Sequence, residues 1–249
     1  MDPVNSLNSV PMRYVGTHSY LKSLRHILIS YAIFLCCLAF FGKGYDPLTS
    51  LMLALLSCGF AIIYMMNATQ SIVFKKVDYL LVFLIFIVEA SVGIFHFQYV
   101  INPNYFSTPM QGISLNDGTY YFDIVYFVYL IDAIAAFRLE EGYFSFSPLE
   151  SAINKNYILA FFISDIFYFG DAYLLNFMAI NILAVFFSGV VLALIADKLF
   201  GCLDIDKRRL IFYITILQPL AWIPSHTMRD VFGAFIIVLS IALIFFSVT

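Results

Sequence analysis

The sequence predicts an all-α fold, a polytopic bundle of membrane helices with six to eight crossings and interfacial or re-entrant helices in an external loop. Three observations carry this. Apolar residues make up 62% of the chain and charged residues 12%, about half of the roughly 25% usual in soluble domains. The apolar stretches are continuous and do not alternate, which argues for helices and against strands. Lys and Arg gather in three short segments, the signature of a chain threaded back and forth across a bilayer.

The elements follow in order. The segment 1–26 is polar and holds Arg13, Lys22 and Arg25. The apolar run at 27–42 has no small-residue cleavage motif after Phe41, so it reads as a signal-anchor-like first helix that is retained. Runs at 48–66, 79–101, 172–196 and 231–248 approach the ~20 residues that span a hydrocarbon core of ~30 Å. The runs at 157–170 and 210–224 are short, and the one at 123–137 is weak and carries Asp132. The segment 67–78 holds Lys75 and Lys76, and 197–209 holds Lys198, Lys207, Arg208 and Arg209. All three basic segments share one side if the first three runs each cross once. That side is expected to be cytoplasmic, in a bacterial inner membrane, with 102–122 as an external loop. Parity then requires that 123–137 and 157–170 both cross, giving eight spans, or that neither does, giving six. The whole of 1–249 reads as a single transmembrane domain.

Composition excludes other classes. A soluble enzyme needs a charged exterior that 13 Lys+Arg and 16 Asp+Glu cannot supply, and mean hydropathy is +0.92. The net charge of −3 offers no basic field for a phosphate backbone, so membrane lipid is an expected partner and nucleic acid is not. Cys36, Cys37, Cys58 and Cys202 form no metal-like or redox spacing and read as small apolar fillers.

Ionisable groups at membrane depth are costly and call for a reason. Asn116-Asp117-Gly118-Thr119-Tyr120-Tyr121 precedes an apolar stretch. Asp117 there reads as a helix cap, or as a carboxylate that accepts a proton from a hydroxyl or binds a divalent cation. Asp165 lies inside an apolar run six residues before Asp171 and reads as part of a helix break or as a substrate-binding carboxylate. Pro224-Ser225-His226-Thr227-Met228-Arg229-Asp230 separates two apolar runs. Arg229 is one of two basic residues expected outside, the other being Lys43. It reads as a snorkelling or ion-paired side chain, or as an anion site with His226 assisting. Glu89, inside the third run, reads as a neutral buried acid against a neighbouring helix. Asn176 and Asn181 read as interhelical hydrogen-bond partners.

From about residue 114 onward, the order of these features resembles the GT-C superfamily of membrane glycosyltransferases, in particular its protein-mannosyltransferase-like and polysaccharide-polymerase-like branches. The resemblance rests on Asp117 followed by Tyr120, on Ile166-Phe167-Tyr168-Phe169-Gly170-Asp171, then Asn181, then Lys198-Leu199-Phe200-Gly201, and on Pro219 and Pro224-Ser225 before Arg229-Asp230. It implies a polyprenyl-phosphate- or pyrophosphate-linked sugar as donor, used on the external face in cell-surface polysaccharide assembly. It implies Asp117 as base or metal ligand, Asp230 as a second catalytic carboxylate, Arg229 as the phosphate-holding cation, and Tyr120, His226 and Asp165 as substrate contacts. The chain stops at Ser247-Val248-Thr249, straight out of an apolar run, which suits a truncated member of such a family. A glycolipid transporter or flippase and a non-catalytic membrane subunit are the competing readings.

Overall fold

The computed structural model describes residues 17–41, 47–96, 134, 174–201, 203–217 and 229–248. Among these residues the fold is all-helical: α1 (Thr17–Phe41), α2 (Pro47–Ala68), α3 (Asp78–His96), α4 (Leu174–Phe200), α5 (Ile205–Leu217) and α6 (Arg229–Val248). Four of these helices, α1, α2, α4 and α6, are long and apolar enough to cross a membrane. The expected runs at 123–137 and 157–170 lie outside the described residues, apart from Ile134, which is helical and buried.

α4 is the centre of the bundle. Every side chain from Met178 to Phe187 is buried, as an all-round apolar helix requires. The other helices pack around it and turn apolar faces outward. α3 exposes Leu80, Phe83, Leu84 and Ile87, and α6 exposes Ile237, Ile241 and Ile244. A contiguous apolar exterior of this kind would drive aggregation in water and suits contact with lipid.

Contacts fix the helix directions. Ser30 Oγ donates to the Ala61 carbonyl at 2.9 Å, and His26 Nδ1 lies 3.0 Å from Tyr64 Oη, so α1 and α2 run antiparallel. The rings of Tyr20 and Phe246 stack at 5.2 Å, while Tyr31 meets Phe235 at 5.2 Å, so α1 and α6 are antiparallel too. Tyr20 Oη donates to Asp197 Oδ2 at 2.7 Å, which brings the C-terminal end of α4 to the N-terminal end of α1.

Two sequence boundaries are corrected. α1 starts at Thr17, ten positions before the apolar run at 27–42, so the polar N-terminal segment assigned to 1–26 is partly helix. The cause is a seam of Tyr20, Leu24, Ile27, Tyr31, Phe34 and Leu38, all buried. This spacing of three and four residues packs on the core while Lys22 and Arg25 remain exposed. The basic segment at 197–209 is also largely helical. α4 continues to Phe200, and Gly201 follows at φ +68°, a left-handed helix-ending conformation that glycine adopts without strain. Asp204 Oδ1 then accepts the Lys207 N–H at 2.8 Å and caps α5.

α4 and α5 approach closely at Gly189. A Cβ there would sit 2.9 Å from the Phe212 ring and 3.3 Å from Ile216 Cγ2. Phe212 is buried and held edge-on by Phe74 at 4.8 Å and 87°. Phe74 and Val73 tuck the α2–α3 connection into the core at the end where Tyr20 meets Asp197. Lys75 and Asp78 thereby reach the start of α5.

Candidate functional site

Apart from Glu89 and the first turn of α6, the charged groups of the described residues converge at one end of the bundle, where α1 begins, α4 ends and α5 begins. Asp78, with a fully buried side chain, is the hub. Its carboxylate accepts Arg209 Nε at 2.8 Å, Arg209 Nη2 at 2.5 Å, the Tyr213 hydroxyl at 2.7 Å and the Lys75 backbone N–H at 2.6 Å. Arg209 Nη1 also donates to Asp206 at 2.6 Å, and Lys75 Nζ to the same carboxylate at 2.6 Å. A second pair lies deeper. Arg208 Nη1 donates to Asp197 Oδ2 at 3.0 Å, and their side chains are 8% and 0% exposed.

The electrostatics follow from these contacts. Burial pushes the Asp78 carboxyl up, but the hydrogen bonds from Arg209, Lys75 N–H and Tyr213 overcome it and hold it below the usual carboxylate range. Hydrogen bonds from Lys75 and Arg209 likewise lower Asp206, and the Lys207 N–H lowers Asp204. Asp78 in turn raises Arg209. Asp78, Arg209, Asp206 and Lys75 are each paired with a neighbour, so the arrangement behaves as a clamp between the α2–α3 connection and α5.

The sequence alone marks Lys75, Arg208 and Arg209 only as topological signals and passes over Asp78, Asp197 and Asp206 as partners. The signal that could have found them was the presence of acidic residues inside basic segments: Asp78 beside Lys75-Lys76, and Asp204 and Asp206 beside Lys207-Arg208-Arg209. Lys22, Arg25, the 69–77 connection and the α4–α5 junction do share one end, through Tyr20–Asp197, Lys75–Asp206 and Arg209–Asp78.

Of the residues singled out from the sequence, Asp117, Tyr120, Asp165 and His226 lie outside the described residues. Arg229 and Asp230 open α6, and their side chains lie outside what is described. Because α6 runs antiparallel to α1, with Phe232 near Tyr31 and Phe246 against Tyr20, its first turn sits at the end opposite the charged clamp. Glu89 and Asn181 are fully buried inside the bundle, and the side chain of Asn176 lies outside what is described. Cys58 Sγ donates to the Ala179 carbonyl at 3.7 Å and fills space between α2 and α4. Among the described residues no three His, Cys, Asp or Glu side chains are grouped to hold a metal ion. No protein-family model, curated protein or solved structure matches the chain.

Proposed function

We propose that the protein is a membrane glycosyltransferase that takes sugar from a polyprenyl-phosphate or pyrophosphate carrier on the membrane face opposite the charged clamp. The observation that carries this reading is the start of α6. Arg229 and Asp230 open a membrane-length helix at the end away from the basic segments, against the bias that removes cations from the external side. The first turn of a helix presents free N–H groups and a positive dipole end, and with an arginine it forms a natural seat for a phosphate.

The chemistry follows from that seat. An acceptor hydroxyl attacks the anomeric carbon, the bond to the carrier phosphate breaks, and the negative charge of the leaving phosphate is stabilised by Arg229. Asp117 takes the hydroxyl proton as general base. Asp230 is the second carboxylate, Tyr120, His226 and Asp165 line the sugar site, and holding a divalent cation is the alternative role for Asp117. In this reading the basic end is cytoplasmic, in a bacterial inner membrane, and the chain makes six to eight crossings. Buried Glu89 within α3 favours a second reading, a glycolipid flippase with a polar path through the bundle.

Purified protein in liposomes with a polyprenyl-linked sugar separates the two. A glycosyltransferase forms glycosidic product, and Asp117→Asn abolishes it while insertion and folding are kept. A flippase moves the glycolipid between leaflets without forming a new bond, and Glu89→Gln stops that movement. Product formation by Asp117→Asn at the wild-type rate overturns the proposal.

A further inference from the structure

A groove of about 610 Å³ runs along the outer surface between α1 and α2, within the ~300–1,000 Å³ of typical ligand clefts. Its α2 wall extends from Leu53 to Asn67, ~21 Å at ~1.5 Å per residue. That exceeds the ~15 Å depth of one leaflet of a ~30 Å hydrocarbon core. The walls are apolar over most of their length, with Ile33, Leu56 and Phe60 facing the opening, and turn polar at Tyr64 and Asn67 toward the charged end.

The α1 side of the groove continues into positive charge. At ~100° per residue, Lys22 and His26 fall on the same stripe as the groove residues Ser30, Ile33 and Cys37. Lys22 and Arg25 are exposed, and no ion pair among the described residues uses them. Neither α1 nor α2 contains an acidic residue. His26 bridges to Tyr64 across the groove at 3.0 Å. An apolar slot of leaflet depth that ends in cations used by no ion pair among the described residues matches the two halves of a single amphiphile.

We propose that this groove holds one acyl chain of an anionic phospholipid, with the headgroup phosphate at Lys22, Arg25 and His26. A lipid chain gains little from leaving other lipid for an apolar groove, since both surroundings are hydrocarbon, so the selectivity resides in the cationic rim. A second copy of the chain is a poorer occupant. Two copies related by a two-fold axis along the membrane normal would bring like ends of the groove together and set Lys22 and Arg25 beside their equivalents. The proposal is independent of the glycosyltransferase reading, because the polar end of the groove, at Tyr64 and Asn67, lies at the opposite end of the bundle from Arg229.

Native mass spectrometry of the full chain in detergent, titrated with phosphatidylglycerol or phosphatidylcholine of identical chains, tests it. Each basic residue near the headgroup contributes a preference of about fivefold. The wild type is therefore expected to retain phosphatidylglycerol about 25-fold more strongly, and Lys22→Gln/Arg25→Gln to lose most of that preference. Ser57→Phe, which fills the groove, lowers retention of both lipids. Leu56→Trp at the groove mouth does the same and covers the case in which Ser57→Phe fails to fold, as judged by far-UV circular dichroism. Equal retention of the two lipids by the wild type, an unchanged preference in the double variant, or unchanged retention in a folded groove-filling variant overturns the proposal. So does a dimer that the groove-filling variants dissociate.

Discussion

Replacing Asp78 by Ala removes the acceptor for four donors, two from Arg209 and one each from Tyr213 and the Lys75 N–H. Breaking a buried ion pair by deleting one partner costs ~3–5 kcal/mol, because the other partner stays behind uncompensated. Here the lower end applies. Arg209 has a side chain 21% exposed and keeps Asp206, so water and that carboxylate recover part of the loss. A cost of ~3 kcal/mol is roughly a 150-fold fall in the folded-to-unfolded ratio. Asp78→Asn, which preserves size and an accepting oxygen, is expected to cost about half as much. Reversible unfolding in mixed micelles, followed by circular dichroism, measures both. A cycle with Arg209→Ala isolates the pairwise coupling, expected within ~0.5–3 kcal/mol. The acid limb carries a further signature. The folded carboxyl lies below its unfolded value, so its stabilisation is complete above the ordinary aspartate range near ~4 and is lost as pH falls through the lowered folded value. Stability of wild type and Asp78→Ala should differ by a constant amount between neutrality and mildly acidic pH and converge below that range. An Asp78→Ala protein within ~0.5 kcal/mol of wild type at neutral pH would refute the view that this carboxylate clamps the α2–α3 connection to α5.

Other outcomes are equally checkable. Gly189→Ala pushes a methyl to 2.9 Å from a Phe212 ring that Phe74 holds in place; overpacking of ~1–3 kcal/mol outweighs a helix-propensity gain of at most ~1 kcal/mol, and a stabilised variant in the same unfolding assay would show that α5 can retreat. Single-cysteine labelling in intact cells should modify position 76 and position 118 from opposite sides of the membrane, and labelling of both from one side would refute the topology. In a polymer-synthesis assay, Arg229→Lys should retain more activity than Arg229→Ala, because it keeps a charge and loses only the bidentate fork; equal, full activity in both would remove Arg229 from the phosphate seat.

The helices that were legible in the sequence are those whose apolar character is unbroken. α2, α4 and α6 follow their runs to within a few residues, because an uncharged stretch near the length of a bilayer has no competing reading. α1 and α5 were legible only in part. Both extend beyond the hydrocarbon into polar sequence, where burial at every third or fourth position, as in Tyr20 and Leu24, replaces continuous apolarity. The cap at Asp204 was within reach of a local rule. The pairing of Lys75 with Asp206 and Asp78 with Arg209 was not, because each partner lies 131 residues away and nothing local sets which charges of two basic segments will meet. The distribution of Lys and Arg nevertheless put those segments on one side, and they do meet at one end of the bundle, where the ion pairs form. Of the candidate site, the described structure reaches only the backbone of Arg229 and Asp230.

The enclosure of α4 from Met178 to Phe187 bears on how the molecule is assembled. A helix whose side chains from Met178 to Phe187 are all buried in the finished bundle enters the bilayer before α5 and α6, two of its future neighbours, have been synthesised. During that interval its flanks face lipid, and only a surface apolar through its full circumference tolerates the delay. The amide of Asn181, buried in the finished bundle, waits with it. The charges at its far end, Asp197 and Lys198, are costly to draw into hydrocarbon, and in the finished bundle Asp197 is paired with Arg208 of α5. The order of synthesis is thereby written into the burial pattern: the innermost helix is a scaffold that later segments find already at the right height.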